Sequence, residues 1–335
     1  MTEITNTDSP LAKVMADTTD YSGITRRRAL LGAAGLGMVG LAGCTGGDEG
    51  EIIRWHAGGT GGTYYPLSGE FETIVEDETD FDLQVSSTGA SVENVGSLGS
   101  GDADFALIQN DVAFFAKNGT GIEAFQDDPV ESLEGVATLY PETIHIITRP
   151  DAEIESIADL EDQRVNTGDL GSGTQVNALQ ILESVAGLTP DDFDEQNTEF
   201  TQAADQIRDG AIEAAFIVGG WPVGAVEELA TTTDIDILNL DDSAREAARA
   251  DASWFADDTI PGGTYGGVDE DVDTVSVQAM IATRDDFDAD IVEEVTAAIF
   301  DNTDQLTIKD EFINAETAQD GMSIDLHEGA ARYFE

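Results

Sequence analysis

The chain of 335 residues carries 14 basic against 69 acidic side chains, a formal net charge of -55, which excludes nucleic acid as a partner because its phosphates would be repelled. Hydrophobic residues make up 41% of the chain, and apolar runs such as 105–108 and 212–218 suffice for a core, so disorder is not expected beyond the first fifty residues. Lysine occurs only as Lys13, Lys117 and Lys309 while acids spread along the whole length, a pattern that predicts adaptation to molar salt, where the Debye length shrinks to ~3 Å and self-repulsion is screened.

The N-terminal sequence Thr25-Arg26-Arg27-Arg28-Ala29-Leu30-Leu31 leads into an apolar, glycine-rich stretch ending Leu41-Ala42-Gly43-Cys44. It resembles a twin-arginine export signal followed by a lipobox. The run 29–43 is fifteen residues long, short of the ~20 that a membrane-spanning helix needs, so it reads as a processed signal. Cys44 is the only cysteine, which excludes an intrachain disulfide and a catalytic cysteine pair. Its expected role is the lipidated first residue of the mature chain. Residues 44–50 then form a short tether that holds an exported domain at the outer membrane face.

From residue 51 onward short apolar strands alternate with amphipathic helices, the pattern of an α/β architecture with mainly parallel strands. Strands are predicted over 52–57, 83–86, 105–109, 136–139, 144–148, 164–166, 214–218, 235–238 and 275–282. Helices are predicted over 66–78, 92–99, 156–160, 175–186, 202–208, 223–231, 242–250 and 289–306. The helix over 175–186 has Val176, Leu179, Leu182 and Val185 on one face, with Thr174 as expected N-cap and Gly187 as the glycine that ends it. Gly101-Asp102-Ala103-Asp104-Phe105-Ala106-Leu107-Ile108 matches Gly210-Ala211-Ile212-Glu213-Ala214-Ala215-Phe216-Ile217 in pattern, and each follows a glycine-rich loop some 40 residues upstream. The same device used twice predicts two lobes facing one another, with a cleft at the carboxyl ends of their strands.

Three glycine-rich segments stand directly before helices: Gly58-Gly59-Thr60-Gly61-Gly62-Thr63, Ser87-Thr88-Gly89-Ala90-Ser91 and Gly171-Ser172-Gly173-Thr174. Glycine lets the backbone approach a ligand, and a helix N-terminus offers unpaired N–H groups and the positive end of a dipole. With the hydroxyls of Thr63, Ser87, Thr88, Ser91, Ser172 and Thr174, these segments form a receptacle for a carboxylate that needs no buried Arg or Lys. None is a nucleotide fingerprint: the first lacks the final glycine of the dinucleotide motif, and no Gly-Lys-Ser/Thr is present, so no cofactor is expected. Gln109-Asn110-Asp111 and Gly219-Gly220-Trp221-Pro222 close the two repeated strands. Gln109 there can hydrogen-bond a ligand and Trp221 can cover its apolar stem, although Asp111 serves equally as a helix cap and Trp221 as core. His56, His145 and His327 show neither zinc-type spacing nor a nucleophile motif beside them, so neither a metal site nor catalysis is expected.

In the order Gly59-Thr60-Gly61-Gly62-Thr63-Tyr64-Tyr65-Pro66-Leu67, Ser87-Thr88-Gly89-Ala90-Ser91-Val92-Glu93-Asn94, Gly101–Gln109, Gly171-Ser172-Gly173-Thr174-Gln175-Val176-Asn177, Asp209-Gly210, Phe216-Ile217-Val218-Gly219-Gly220 and Ile260-Pro261-Gly262-Gly263-Thr264-Tyr265, residues 52–320 resemble the TAXI family of solute receptors for tripartite ATP-independent periplasmic (TRAP) transporters. One departure is Ser68, where that family usually has Gly. The resemblance implies a type II periplasmic-binding-protein fold of two α/β lobes around a ligand cleft. It also implies delivery of a small acid of the glutamate, glutamine or 2-oxoglutarate kind to a TRAP membrane permease. The expected division is a signal over 1–43, the tether over 44–50, one lobe from 51–143 with 285–335, and the other from 144–284. The expected ligand-binding residues are Gly62, Thr63, Tyr64, Ser87, Thr88, Ala90, Ser91, Gln109, Gly171, Ser172, Thr174, Trp221 and Tyr265. A binding protein of an ATP-driven importer and a ligand-sensing surface lipoprotein are the alternatives of the same general design.

Overall fold

The computed structural model describes residues 50–335, so the twin-arginine stretch, Cys44 and residues 45–49 lie outside the described residues. The chain begins with β1 (Glu51–His56), α1 (Tyr64–Glu78), β2 (Phe81–Ser86), α2 (Ser91–Ser100) and β3 (Phe105–Gln109), whose strands pair in parallel in the order β2-β1-β3. After α3 (Asn110–Asn118), the long strand β4 (Leu133–Thr148) leads to β5 (Arg164–Asn166), α4 (Gly173–Ala186), β6 (Asp194–Gln196), α5 (Phe200–Arg208) and β7 (Ala214–Gly219). These strands repeat the first arrangement, parallel and in the order β6-β5-β7. The rest of the described chain is α6 (Gly224–Thr232), β8 (Asp236–Ile237), α7 (Asp242–Asp251), β9 (Ala256–Ile260), the long strand β10 (Val272–Arg284), α8 (Ala289–Asp301) and α9 (Glu328–Phe334).

The expectation of mainly parallel strands does not hold: five of the nine strand pairings among the described residues are antiparallel, and all five involve β4 or β10. The chain leaves the first lobe along β4 and returns along β10, and strands that carry it in opposite senses pair antiparallel. The start of β4 lies beside β10, with Thr138 opposite Met280, and its end lies beside β7, from Thr143 opposite Gly219 to Thr148 opposite Ala214. In the same way β10 pairs first with β9 and then, from Ala279 to Ala282, with β3. The two predicted strands 136–139 and 144–148 are thus one. Pro141, which has no N–H to give, is tolerated because it sits beside the register shift between Gln278 and Met280.

The internal repeat extends to single atoms. In the first lobe the Arg54 N–H and Nε donate to Asp104 Oδ2, both at 2.9 Å, and its Nη1 donates to the Gly101 carbonyl at 2.7 Å. In the second lobe the Arg164 N–H and Nε donate to Glu213 Oε2 at 3.1 and 3.0 Å, and its Nη2 donates to the Gly210 carbonyl at 3.2 Å. Gly101 and Gly210 have φ of 77° and 69°, the left-handed backbone each turn requires. Each carboxyl precedes a strand that is buried throughout, β3 or β7. Burial would raise the Asp104 carboxyl, but hydrogen bonds from Arg54 hold it below the usual range. Bonds from Arg164 lower Glu213 likewise.

Each lobe carries apolar clusters around its part of the sheet. In the first, Trp55 stacks on Phe105 at 5.6 Å and meets Phe71 edge-on at 5.7 Å. Its indole Nε1 donates to Ser68 Oγ at 2.9 Å, so the serine that departs from the TAXI pattern supplies the acceptor a buried indole needs. In the second, Ile146, Leu160, Ile181, Leu182 and Phe216 form the corresponding core.

Several local expectations need correction. Helix α4 starts at Gly173, with Ser172 as its N-cap: Ser172 Oγ accepts from Gln175 N at 3.2 Å, which leaves Thr174 inside the first turn. Gly187 ends it at φ 70°, as expected. The predicted helix 156–160 is a 3-10 turn closed by a capping box between Ser156 and Asp159. The predicted helix 289–306 stops at Asp301, followed by a further 3-10 turn.

Candidate ligand-binding cleft

The loops that leave β1, β2, β5 and β6, together with Gln109 of β3, Glu142 of β4 and Val218 of β7, converge on one cavity between the lobes, at the carboxyl ends of the strands. Helices α1, α2 and α4 begin at its wall. The first N–H groups of each helix have no intrahelical acceptor, so three positive dipole ends meet one space. The loop before α2 is tied down: Thr88 Oγ1 accepts from Ala90 N at 3.1 Å, and Asn94 Nδ2 donates to the carbonyls of Ala57 and Leu107 at 2.7 and 2.8 Å. That bracing holds Ala90, a non-glycine residue with φ 70°, at the cleft wall.

The lobes stand closed on one another. Ala225 N donates to the Gly61 carbonyl at 3.0 Å, and Thr63 Oγ1 donates to the Gly220 carbonyl at 3.2 Å. Asn177 Nδ2 of α4 donates to Asp111 Oδ2 of α3 at 2.7 Å. Lys309 Nζ donates to the Trp221 carbonyl and lies 4.7 Å from the centre of its ring. Gln109 reaches across to the start of α4, where a Cβ built on Gly173 would stand 1.8 Å from its Oε1.

Of the thirteen residues expected at the ligand, nine line this cavity: Gly62, Thr63, Tyr64, Thr88, Ala90, Ser91, Gln109, Ser172 and Thr174. Four do not. Ser87 Oγ donates to the Gly58 carbonyl at 2.9 Å and so braces the first loop. Gly171 forms the turn before the Ser172 cap at φ 74°, its N–H donating to Gln175 Oε1 at 3.1 Å. Trp221 packs edge-on against Phe312 beneath Lys309. Tyr265 is buried in the second lobe, where its hydroxyl accepts from Val223 N and contacts His145 Nε2, each at 2.9 Å. Of the other histidines, His327 Nδ1 accepts from Gly329 N at the start of α9, and His56 ends β1.

The sequence reading missed Glu142, Asp169, Glu199, Phe200 and Val218, all of which line the cavity. Glu142 was visible in principle, as one of two acids in the otherwise buried run of β4. It is 3% exposed, and burial pushes its carboxyl up to about 8 against the opposing influence of Tyr140, Gln109 and Lys309. Four buried polar atoms in this region lack a hydrogen-bond partner: Glu142 Oε1, Gln109 Oε1 and the hydroxyls of Tyr64 and Tyr140. Burial drives both phenols well above their ordinary range. Beside the cleft, burial lifts the Asp111 carboxyl to about 6. An orphaned buried polar group costs about 1–3 kcal/mol, and three of these four, those of Glu142, Gln109 and Tyr64, belong to residues that line the cavity, as in a cleft built to receive a polar molecule.

Two similar α/β lobes, joined through two long strands and closed over a cavity at their strand ends, define a periplasmic-binding-protein-like fold. The sequence profile of the NMT1-like family matches residues 56–335, and the chain belongs to that family. Among solved structures, PhnD1 from Prochlorococcus marinus (MIT 9301) in complex with methylphosphonate is similar at 10% identity, over 78% of this chain and 88% of that one, with a TM-score of 0.51. A protein from Bordetella bronchiseptica RB50 is similar at 14% identity, over 85% and 82%, with a TM-score of 0.52. The substrate binding protein of an amino acid ABC transporter is 10% identical over 78% of this chain and 96% of its own, with a TM-score of 0.45. At such identities the likeness is one of fold. Among the described residues no helix is long and apolar enough to cross a membrane, and no cluster of His, Cys, Asp and Glu could hold a metal ion.

Proposed function

We propose that the protein is an exported, lipid-anchored receptor that captures a small polar or carboxylate solute and hands it to a membrane transporter. The observation that carries this reading is the cleft itself, where three helix N-termini and the unpartnered buried polar atoms of Tyr64, Gln109 and Glu142 face one cavity. Helix N-termini hold anions without a basic side chain, and no Lys or Arg lines this cavity. The resemblance to the TAXI family supports a TRAP permease as the partner and glutamate, glutamine or 2-oxoglutarate as the solute class. The methylphosphonate complex of PhnD1 supports a small anion on the same fold. An ATP-driven importer could use the same receptor; uptake that persists after the ion gradient is collapsed, with ATP retained, would assign it there.

The test is a thermal-shift screen of the purified protein in molar KCl against amino acids, C4–C6 acids and small phosphonates. A ligand at 100 times its Kd stabilises by about 2.7 kcal/mol, which raises the melting temperature of a domain this size by about 5 °C. No shift with any member, together with unchanged solute uptake in a strain lacking the gene, would refute the receptor reading.

A further inference from the structure

The charge around the cavity is one-sided. Glu142, Asp169 and Glu199 line it, while no Lys or Arg does. Lys309, the basic group that acts on Glu142, directs its Nζ to the Trp221 carbonyl, and no ion pair to Glu142 forms among the described residues. Glu142 and Gln109 are 3% exposed each, and the Oε1 of each has no donor. With its carboxyl raised to about 8, Glu142 holds a proton at pH 7 in the empty cleft; a cationic donor from the solute would let it ionise, and an ionised carboxyl and an amide oxygen only accept hydrogen bonds.

Resting on the receptor reading above, we propose that Glu142 is the specificity-determining residue of the cleft and that it seats a protonated amine carried by the solute. The helix N-termini take the solute's carboxylate, and Glu142 with Gln109 takes its ammonium. The preferred solutes are therefore zwitterions, and acids without a nitrogen are poor ligands. Burying an ionised carboxyl is costly, and in the empty cleft burial moves Glu142 up to about 8 in spite of its neighbours Tyr140 and Gln109. An ammonium supplies three donors and a full positive charge at that point. Asp169 and Glu199 at the same cavity, joined by Glu142 once it ionises, also set up a field that favours a cation over a second anion. Glu142 lies in β4, the strand that crosses between the lobes, next to Pro141 at the register shift. A group there is fixed by both lobes at once, as a selective contact requires.

The experiment titrates matched probes into the full chain in molar KCl at pH 7: L-glutamate against glutarate, and 4-aminobutyrate against butyrate. Each amine is expected to bind at least tenfold tighter than its partner, the range of one hydrogen bond to a charged group. In Glu142→Gln that ratio should collapse toward one while the affinity for the amine-free partner is kept or improved. Glu142→Asp retains the charge one methylene further back and should give an intermediate ratio, which separates selectivity from a folding defect. Glutarate or butyrate binding as tightly as its amino partner, or a ratio that survives in Glu142→Gln, overturns the assignment and leaves the receptor reading standing. Absence of binding by all four probes to a folded protein also overturns the assignment, while the receptor reading falls only with the full thermal-shift screen and the uptake assay.

Discussion

Gly173→Ala separates the fold from the closure of the cleft. Gly173 is the first residue of α4 and its φ lies outside the left-handed region, so alanine can adopt its backbone. Replacing glycine in a helix should leave stability unchanged or raise it by up to ~1 kcal/mol. The new Cβ would stand 1.8 Å from Gln109 Oε1, 2.5 Å from its Cδ and 3.1 Å from its Nε2. Non-bonded atoms rest at about 3.5–4 Å, so the Gln109 amide must withdraw by roughly 1.5–2 Å. A withdrawn amide loses its bond to the solute, worth about 1–1.5 kcal/mol, or roughly a five- to tenfold weaker Kd. Calorimetric titration beside guanidinium unfolding, both in molar salt, reads the two effects separately. Binding equal to the parent would refute the reasoning, because Gln109 would then neither meet the solute nor require glycine opposite. A lower unfolding midpoint would refute the local account of the helix start.

The buried Asp111 carboxyl, raised to about 6 by burial, makes the native state bind more protons than the unfolded chain between about pH 4 and 6, so stability falls as pH rises through that window. Asp111→Asn should therefore exceed the parent in stability by about 3 kcal/mol at pH 7, with the gap closing below pH 4; denaturant unfolding at both pH values checks this, and an equal gap at both counts against it. Lowering salt from molar to millimolar should depress the unfolding midpoint, since a net charge of -55 is then unscreened; a flat midpoint would remove the halophilic reading. Cys44→Ser should leave unfolding unchanged but move the protein from membrane to soluble fractions, and retention on the membrane would argue against the lipid anchor.

Where a glycine-rich loop meets a helix start, or a turn meets an apolar strand, the local sequence dictates the local structure. Phe105–Gln109 and Arg164–Asn166 are found at their expected bounds for that reason. The repeated Gly101 and Gly210 turns mark the two lobes because each needs a residue free to take positive φ. Strands β6 and β9 escaped notice: Asp194-Glu195-Gln196 and Ala256-Asp257-Asp258-Thr259-Ile260 are acidic, and their place is set by pairing with β5 and β10. Arg245 helps to hold β9, with Nε 3.3 Å from Asp257 and Nη1 3.1 Å from Asp273 of β10. The polar side of the cleft was legible because hydroxyls beside helix starts carry a chemical signal in one dimension. Its acidic side was not. In the sequence Glu142 is marked only by its place in an apolar run, and among 69 acids that mark gains meaning only when β4, crossing between lobes, buries it. Tyr265 belongs to a motif that resembles a known family, yet its hydroxyl serves Val223 and His145 in the core of the second lobe.

Titration calorimetry of the solute with the largest thermal shift, run in molar KCl on the parent and on Gly62→Val, tests most directly whether this cleft captures a small solute. Gly62 lines the cavity, and a Cβ on it already stands 3.4 Å from the Phe200 ring, so a valine would fill the space a solute needs. The account predicts one saturable site per chain in the parent, and no measurable heat in Gly62→Val with the same melting temperature in the absence of ligand. Equal binding by the two proteins would contradict it and place the solute elsewhere.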